Sequence, residues 1–263
     1  MPETMPHPLC PPAPLRLRLD RYHRRTGCAT SIRNRIGVDL AGGFYPAPHR
    51  YRLYLSAECP DSLRVAITLD LLGLRDSLPT TVLAPDGPEA STALRGYYEA
   101  TRHRFDGPLT VPALCDHWSG HIVSNHTPDI LRDLADHLGP ESGGLLPRLR
   151  PAALASQIDD LREYLAREMS VSEHHDATSL DRRRKALALL DRRLASGPYI
   201  IGTELTAADI DLWVTLVDPR LTDAVRDHER LVAYVRRLHR VPAFRANHTV
   251  PVPQGAAAVG RIG

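Results

Sequence analysis

The stretch Tyr51-Arg-Leu-Tyr-Leu-Ser-Ala-Glu-Cys-Pro-Asp-Ser62 decides the fold. Its first half alternates apolar and polar residues, the pattern of a half-buried strand. Its second half turns at Cys59-Pro60 into Leu63, Ala66, Leu69 and Leu72, spaced as on one face of a helix that stops at Gly73. A proline just inside a helix is favoured because its missing N–H is not needed there. Cys59 is thereby placed at the positive end of the helix dipole, where free backbone N–H groups can stabilise a thiolate.

Outward from that junction, Leu78–Leu83 reads as a second strand and Glu89–His103 as a helix. Thr110–Leu114 and His121–Val123 read as two short strands around a turn at Ser119-Gly120. Leu131, Leu134 and Leu138 mark a helix ending at Gly139-Pro140. The order β-α-β-α-β-β-α describes a small α/β layer structure. Beyond Gly143-Gly144 the spacing is helical throughout. Leu154, Ile158, Leu161 and Leu165 form one stripe, and Leu180, Leu187, Leu190 and Leu194 another; both are read as core. Thr206-Ala-Ala-Asp209 is a capping-box pattern that opens a helix through Ile210, Trp213, Val214 and Val217. Leu231, Tyr234, Val235 and Leu238 give one more helix before Pro242. The expected organisation is an extension over 1–48, an α/β domain over 49–140, an all-helical domain over 145–246 and a tail over 247–263. Six of the first fourteen residues are proline, which argues against helix there.

The 263 residues carry 33 basic and 31 acidic side chains, a net charge of +2. That balance gives no reason to expect a nucleic-acid partner. No apolar run reaches the length of a membrane span, and the first residues lack the order of a signal peptide, so a cytoplasmic protein without a membrane partner is expected. Cys10, Cys28, Cys59 and Cys115 form no close pair, so reduced thiols and no metal site are expected. His174-His175 is read as loop surface. Two further segments could carry chemistry. Val111-Pro112 is a candidate cis-proline whose preceding backbone can pair with an extended ligand. Ser124-Asn125-His126-Thr127 opens a helix whose free N–H groups suit a carboxylate, and Thr127 or Asn125 also suits a cap.

Together these segments resemble the glutathione transferase superfamily and, within it, the Xi class, the glutathionyl-hydroquinone reductases. The matching stretches are Tyr51–Pro60, Leu109–Leu114, His121–Asn125 and Gly202–Ile210, with weaker likeness at Ser31–Asn34 and Val252–Gly255. The resemblance implies a thioredoxin-like domain followed by a helical bundle, with the active site in the cleft between them and a homodimer made through the helical domains. It implies that Cys59 is the catalytic thiol, attacking the sulfur of a thiol-conjugated quinone or aryl compound. It implies that Val111 and Pro112 hold the backbone of glutathione, that His126 and Thr127 meet its γ-glutamyl end, and that Asp209 caps a helix. Asp61 and Ser62 fall where the family's substrate pocket begins. Here Cys59-Pro60-Asp61-Ser62 stands for the family's Cys-Pro-Trp-Ala, and His126-Thr127 for its Glu-Ser.

The cosubstrate expected is glutathione or another low-molecular-weight thiol. All basic residues but Lys185 are arginine, a composition of high-GC genomes, and this puts mycothiol among the candidates. Two other readings stand beside the first. One is a transferase-fold enzyme of secondary metabolism that adds a thiol or isomerises, with Cys59 dispensable. The other is a non-catalytic ligand-binding module.

Overall fold

A computed structural model describes residues 31–37, 43–84, 88–139, 146–169 and 177–248. Strand β1 (Tyr51–Ser56) leads into helix α1 (Pro60–Leu71) and returns as β2 (Thr80–Leu83), parallel to β1. Helix α2 (Pro88–Thr101) follows, then β3 (Ala113–Asp116), β4 (His121–Ser124) and α3 (Thr127–Asp133), which continues as a π-helical turn over Leu134–Leu138. The sheet order is β2-β1-β3-β4, with β3 antiparallel to both β1 and β4. This is the thioredoxin-like layer expected.

Strand β1 is buried almost throughout, Arg52 alone being partly exposed. The alternation that suggested one wet face counted Tyr54 and Ser56 as polar. In the structure Tyr51, Leu53 and Leu55 face α1, while Tyr54 packs with Leu94 and Tyr98 of α2 on the other side. Strand β3 begins at Ala113 rather than Thr110, because Pro112 has no N–H to give a ladder.

Residues 31–37, within the expected extension, lie against β4. Arg33 bridges Ser124, Ile32 N–H donates to Asn125 Oδ1 at 2.8 Å, and Ile36 N–H donates to Asp133 Oδ2 at 3.1 Å. The remaining proline-rich residues lie outside the described residues, as do Cys10, Cys28, His174-His175 and the tail from 249.

The second half is helical: α4 (Ala155–Glu168), α5 (Ala177–Arg193), α6 (Ala207–Leu216), α7 (Thr222–Arg226), α8 (Glu229–His239) and α9 (Pro242–Ala246). The α4 stripe is buried at Ile158, Leu161 and Leu165. On α5 the stripe is shorter than expected: Leu187, Leu190 and Leu194 are core, but Leu180 is 49% exposed. The start of α5 is exposed at Leu180, and the buried face starts at Arg183. The short α7 was not anticipated, since five residues carry too little periodicity to read.

The capping box is present. Asp209 accepts from Thr206 N–H at 2.9 Å, Ile200 N–H at 2.9 Å and Tyr234 Oη–H at 2.8 Å. The apolar cluster under the sheet runs without a break into the helices through Ile158, Trp213 and Leu216. Helix α1 packs on α6 along this seam. It fixes what stands opposite the start of α1.

Candidate active site

Cys59 is the N-cap of α1, in extended conformation (φ −95°, ψ 117°), with Pro60 at the first helical position. Its thiol is partly exposed and lies 3.6 Å from the carbonyl oxygen of Val111. The Val111–Pro112 peptide is cis, as its place before β3 suggested. Thus the end of β1, the start of α1 and the loop before β3 converge on one sulfur. Tyr98 Oη–H donates to Thr110 O at 3.0 Å, and Asn125 Nδ2–H donates to Thr110 Oγ1 at 2.9 Å, so that loop is held from behind.

The thiol's surroundings act in opposite directions. Burial pushes Cys59 above the ordinary thiol range, and the Asp61 carboxylate adds to this; the Ser62 N–H, the Ser62 hydroxyl and the Asp61 N–H pull it back. Ser62 is buried, and its Oγ accepts from Ser56 N–H at 3.1 Å, which leaves the hydroxyl proton to donate to sulfur. Ser62 thus supports the thiol from below and is not an open pocket wall. Asp61 has a partly exposed carboxylate, bound through Oδ1 by Arg64 Nη1–H at 2.9 Å. The helix dipole was legible from Cys-Pro; the burial that opposes it was not.

At the start of α3, His126 is the N-cap and makes no side-chain cap bond; its N–H donates to Ser124 Oγ at 3.0 Å. Asn125 is buried among Ile32, Tyr98 and Thr110, so it holds the fold rather than capping. Thr127 is buried at the first helical position, where N–H groups have no partner within the helix. The His126 ring stands with Nδ1 2.9 Å from Asp129 Oδ2. Burial lowers His126 below its ordinary range against the pull of Asp129, and the charge of Asp61 also reaches the ring, so the imidazole is neutral at pH 7. Burial opposes the charge on Asp129, yet the Arg33 hydrogen bonds at 2.7 and 3.1 Å, with His126, hold it below the ordinary carboxylate range. Arg33 was not anticipated; its partner lies 96 positions away in the chain.

The structure therefore gathers Cys59, Asp61, Ser62, Val111 and Pro112 around the sulfur. His126 is close enough to feel Asp61, and Thr127 adjoins it. Among the described residues no group of three His, Cys, Asp or Glu side chains is placed to hold a metal ion, and no helix is long and apolar enough to cross a membrane.

Comparison with known proteins gives the same class. Residues 151–237 match the family described as "Glutathione S-transferase, C-terminal domain". The chain is 28% identical over 292 residues to the glutathionyl-hydroquinone reductase YqjG of Escherichia coli (strain K12), covering 88% of this chain and 87% of that protein. It is 26% identical over 269 residues to the glutathionyl-hydroquinone reductase PcpF of Sphingobium chlorophenolicum, covering 84% and 86%. The crystal structure of the Xi glutathione transferase from Phanerochaete chrysosporium superposes with a TM-score of 0.70 at 28% identity, over 85% of this chain and 83% of that one. A thioredoxin-like layer with a cysteine at the first helix, joined to this helical bundle, defines a glutathione transferase-like enzyme. Over most of its length the chain is similar to Xi-class enzymes of the glutathione transferase superfamily, and residues 151–237 match that superfamily's C-terminal domain.

Proposed function

We propose that the protein is a thiol-dependent reductase in which Cys59 attacks the sulfur of a thiol-conjugated quinone or aryl compound. The observation that carries this reading is the placement of the Cys59 sulfur at the N-terminus of α1, 3.6 Å from the Val111 carbonyl. The Cys59 thiolate forms a disulfide with the conjugate's sulfur as the carbon–sulfur bond breaks. The electron pair of that bond goes to the ring carbon, which takes a proton and leaves as the hydroquinone or arene. A second thiol, as thiolate, attacks the mixed disulfide and leaves as the symmetric disulfide, returning Cys59. Glutathione is the first candidate cosubstrate, as the relatives' names suggest, and the cis-proline loop offers its backbone at Val111.

Because burial and Asp61 both disfavour the thiolate, the rate of Cys59 alkylation is expected to keep rising from pH 7 to pH 9. Cys115 is fully buried and its thiol is pushed much higher, so limiting iodoacetamide should label Cys59 ahead of Cys115. The placement of Cys59 at the start of α1 is the ground for expecting it also to lead Cys10 and Cys28 once the thiolate forms. Peptide mapping that finds another cysteine labelled while Cys59 is not would remove the catalytic assignment.

The second expectation concerns the thiol. Glutathione carries an α-ammonium at its γ-glutamyl end, where the family has an acid and this chain has a neutral His126. Asp129, the nearest other acid, is already bound by Arg33 and His126. A missing charge-assisted hydrogen bond costs about 1.5–3 kcal/mol, roughly ten- to a hundredfold in affinity. Calorimetry on the wild type should show weak glutathione binding, and His126→Glu should tighten it by that factor. Mycothiol, whose sugar end lacks the ammonium, should bind at least as well as glutathione. Micromolar glutathione affinity with no gain for mycothiol would show that His126 leaves the thiol unchanged.

The raised thiol also favours one competing reading, in which a bound thiol itself adds to the electrophile and Cys59 is dispensable. Intact mass after incubation with glutathione disulfide separates the two: the reductase forms a Cys59 adduct that a second thiol removes. A homodimer through the helical domains accompanies the reading. Light scattering should give twice the chain mass, and a clean monomer at micromolar concentration would count against it.

A further inference from the structure

We infer that Arg64 is a positioning residue for the Cys59 thiol: it binds the Asp61 carboxylate while anchored to α6, and so keeps part of that negative charge off the sulfur. The inference rests on the reading of Cys59 as the nucleophile and adds the residue that makes Asp61 tolerable beside it.

The geometry is specific. Arg64 lies one turn beyond Asp61 on α1, and its Nη1–H donates to Asp61 Oδ1 at 2.9 Å. Its Nε stands 3.1 Å from Asp211 Oδ1, and its Nη2–H donates to Thr215 Oγ1 at 3.3 Å, both on α6 and about 150 positions away in the chain. Asp211 is itself buried, and its other oxygen takes Arg162 Nε–H of α4 at 2.9 Å. An isolated pair three residues apart on a helix contributes little, because two long side chains must be ordered to make it. Here the guanidinium is already ordered from behind by the helical domain. Binding Asp61 therefore requires little further ordering of Arg64.

The electrostatic consequence follows from position. A carboxylate two residues from a thiol disfavours the thiolate, and a cation on that carboxylate cancels part of the effect. The other charged or titratable groups facing this seam are few among the described residues. His126 of α3 feels Asp61 but titrates below its ordinary range, so it is neutral where the thiol ionises. Asp218, just past α6, feels Arg64 but is held by Arg220. Asp211 is shared between Arg64 and Arg162. The thiol's environment is thus set across the α1–α6 seam, and the helical domain contributes to it without touching the sulfur.

The test is the pH dependence of single-hit alkylation of Cys59 by iodoacetamide, read by peptide mass, which needs no substrate. Arg64→Gln should raise the midpoint by about half a pH unit or more, as expected for an uncompensated neighbouring carboxylate. Arg64→Lys keeps a cation in the seam and so protects the fold. It cannot reach Asp61 and α6 together, and should move the midpoint in the same direction by less. Asp61→Asn should lower the midpoint, and adding Arg64→Gln to it should produce little further change. An unchanged midpoint in both Arg64 variants overturns the inference. So does a shift from Arg64→Gln that survives undiminished in the Asp61→Asn background, since Arg64 would then act on the sulfur directly. A Cys59 that fails to react in the wild type overturns the nucleophile itself, a different result from a reactive Cys59 indifferent to Arg64.

Discussion

Cys59→Ser should abolish the covalent thiol adduct and lower reductase turnover by about a thousandfold or more, since removing the nucleophile of a covalent mechanism removes its first step. Serine is the stringent choice. It keeps the N-cap, where a hydroxyl is preferred, so α1 should keep or gain stability while the chemistry is lost. Thermal melting should therefore show no loss, whereas intact mass after glutathione disulfide should show no added thiol. Residual turnover within about tenfold of the wild type would transfer the reaction to the bound thiol itself and leave Cys59 a structural cap. Conversion of an aryl thioether and of a plain electrophile should be compared: a reductase loses the first, and an addition enzyme keeps the second.

What was readable in the chain was what is local. Strand β1, the Cys59-Pro60 turn and the α1 stripe lie within about twenty consecutive residues, where period and cap chemistry speak directly. The Thr206–Asp209 box is equally local. Pro112 could be marked as a cis candidate because it stands at the start of a strand. The site's electrostatics, by contrast, come from contacts far apart in sequence: Arg33 on Asp129, Arg64 on Asp211, Ile32 on Asn125. No spacing rule reports such pairs. For that reason residues 31–37 read as part of an extension, and the anchoring of Arg64 to α6 was not read. Leu180 misled for the opposite reason. Its helical spacing continues a real stripe past the point where the bundle offers it a partner.

The largest stability effect should come from Asp209→Ala, at about 3–5 kcal/mol, because it strands several buried donors at once. Oδ1 accepts from Ile200 N–H and Tyr234 Oη–H; Oδ2 accepts from Thr206 N–H and, at 3.1 Å, Thr206 Oγ1–H. Asp209 is fully buried, so water cannot replace it. The same carboxylate closes the start of α6, fixes the loop at Ile200 and ties in α8 through Tyr234, so its loss loosens three segments. In a chain of this size the melting temperature should fall by roughly 6–15 °C. Asp209→Asn tests whether the charge or the shape is responsible. In either amide orientation its NH2 group replaces one of two oxygens that each face a backbone N–H, turning an acceptor toward a donor. It should cost nearly as much as alanine. A loss below about 1 kcal/mol for either variant would mean that the donors find other partners. Because α6 also carries Asp211 and Thr215, the Asp209 variants should raise the midpoint of Cys59 alkylation as well, linking the stability of the bundle to the reactivity of a thiol in the other half of the molecule.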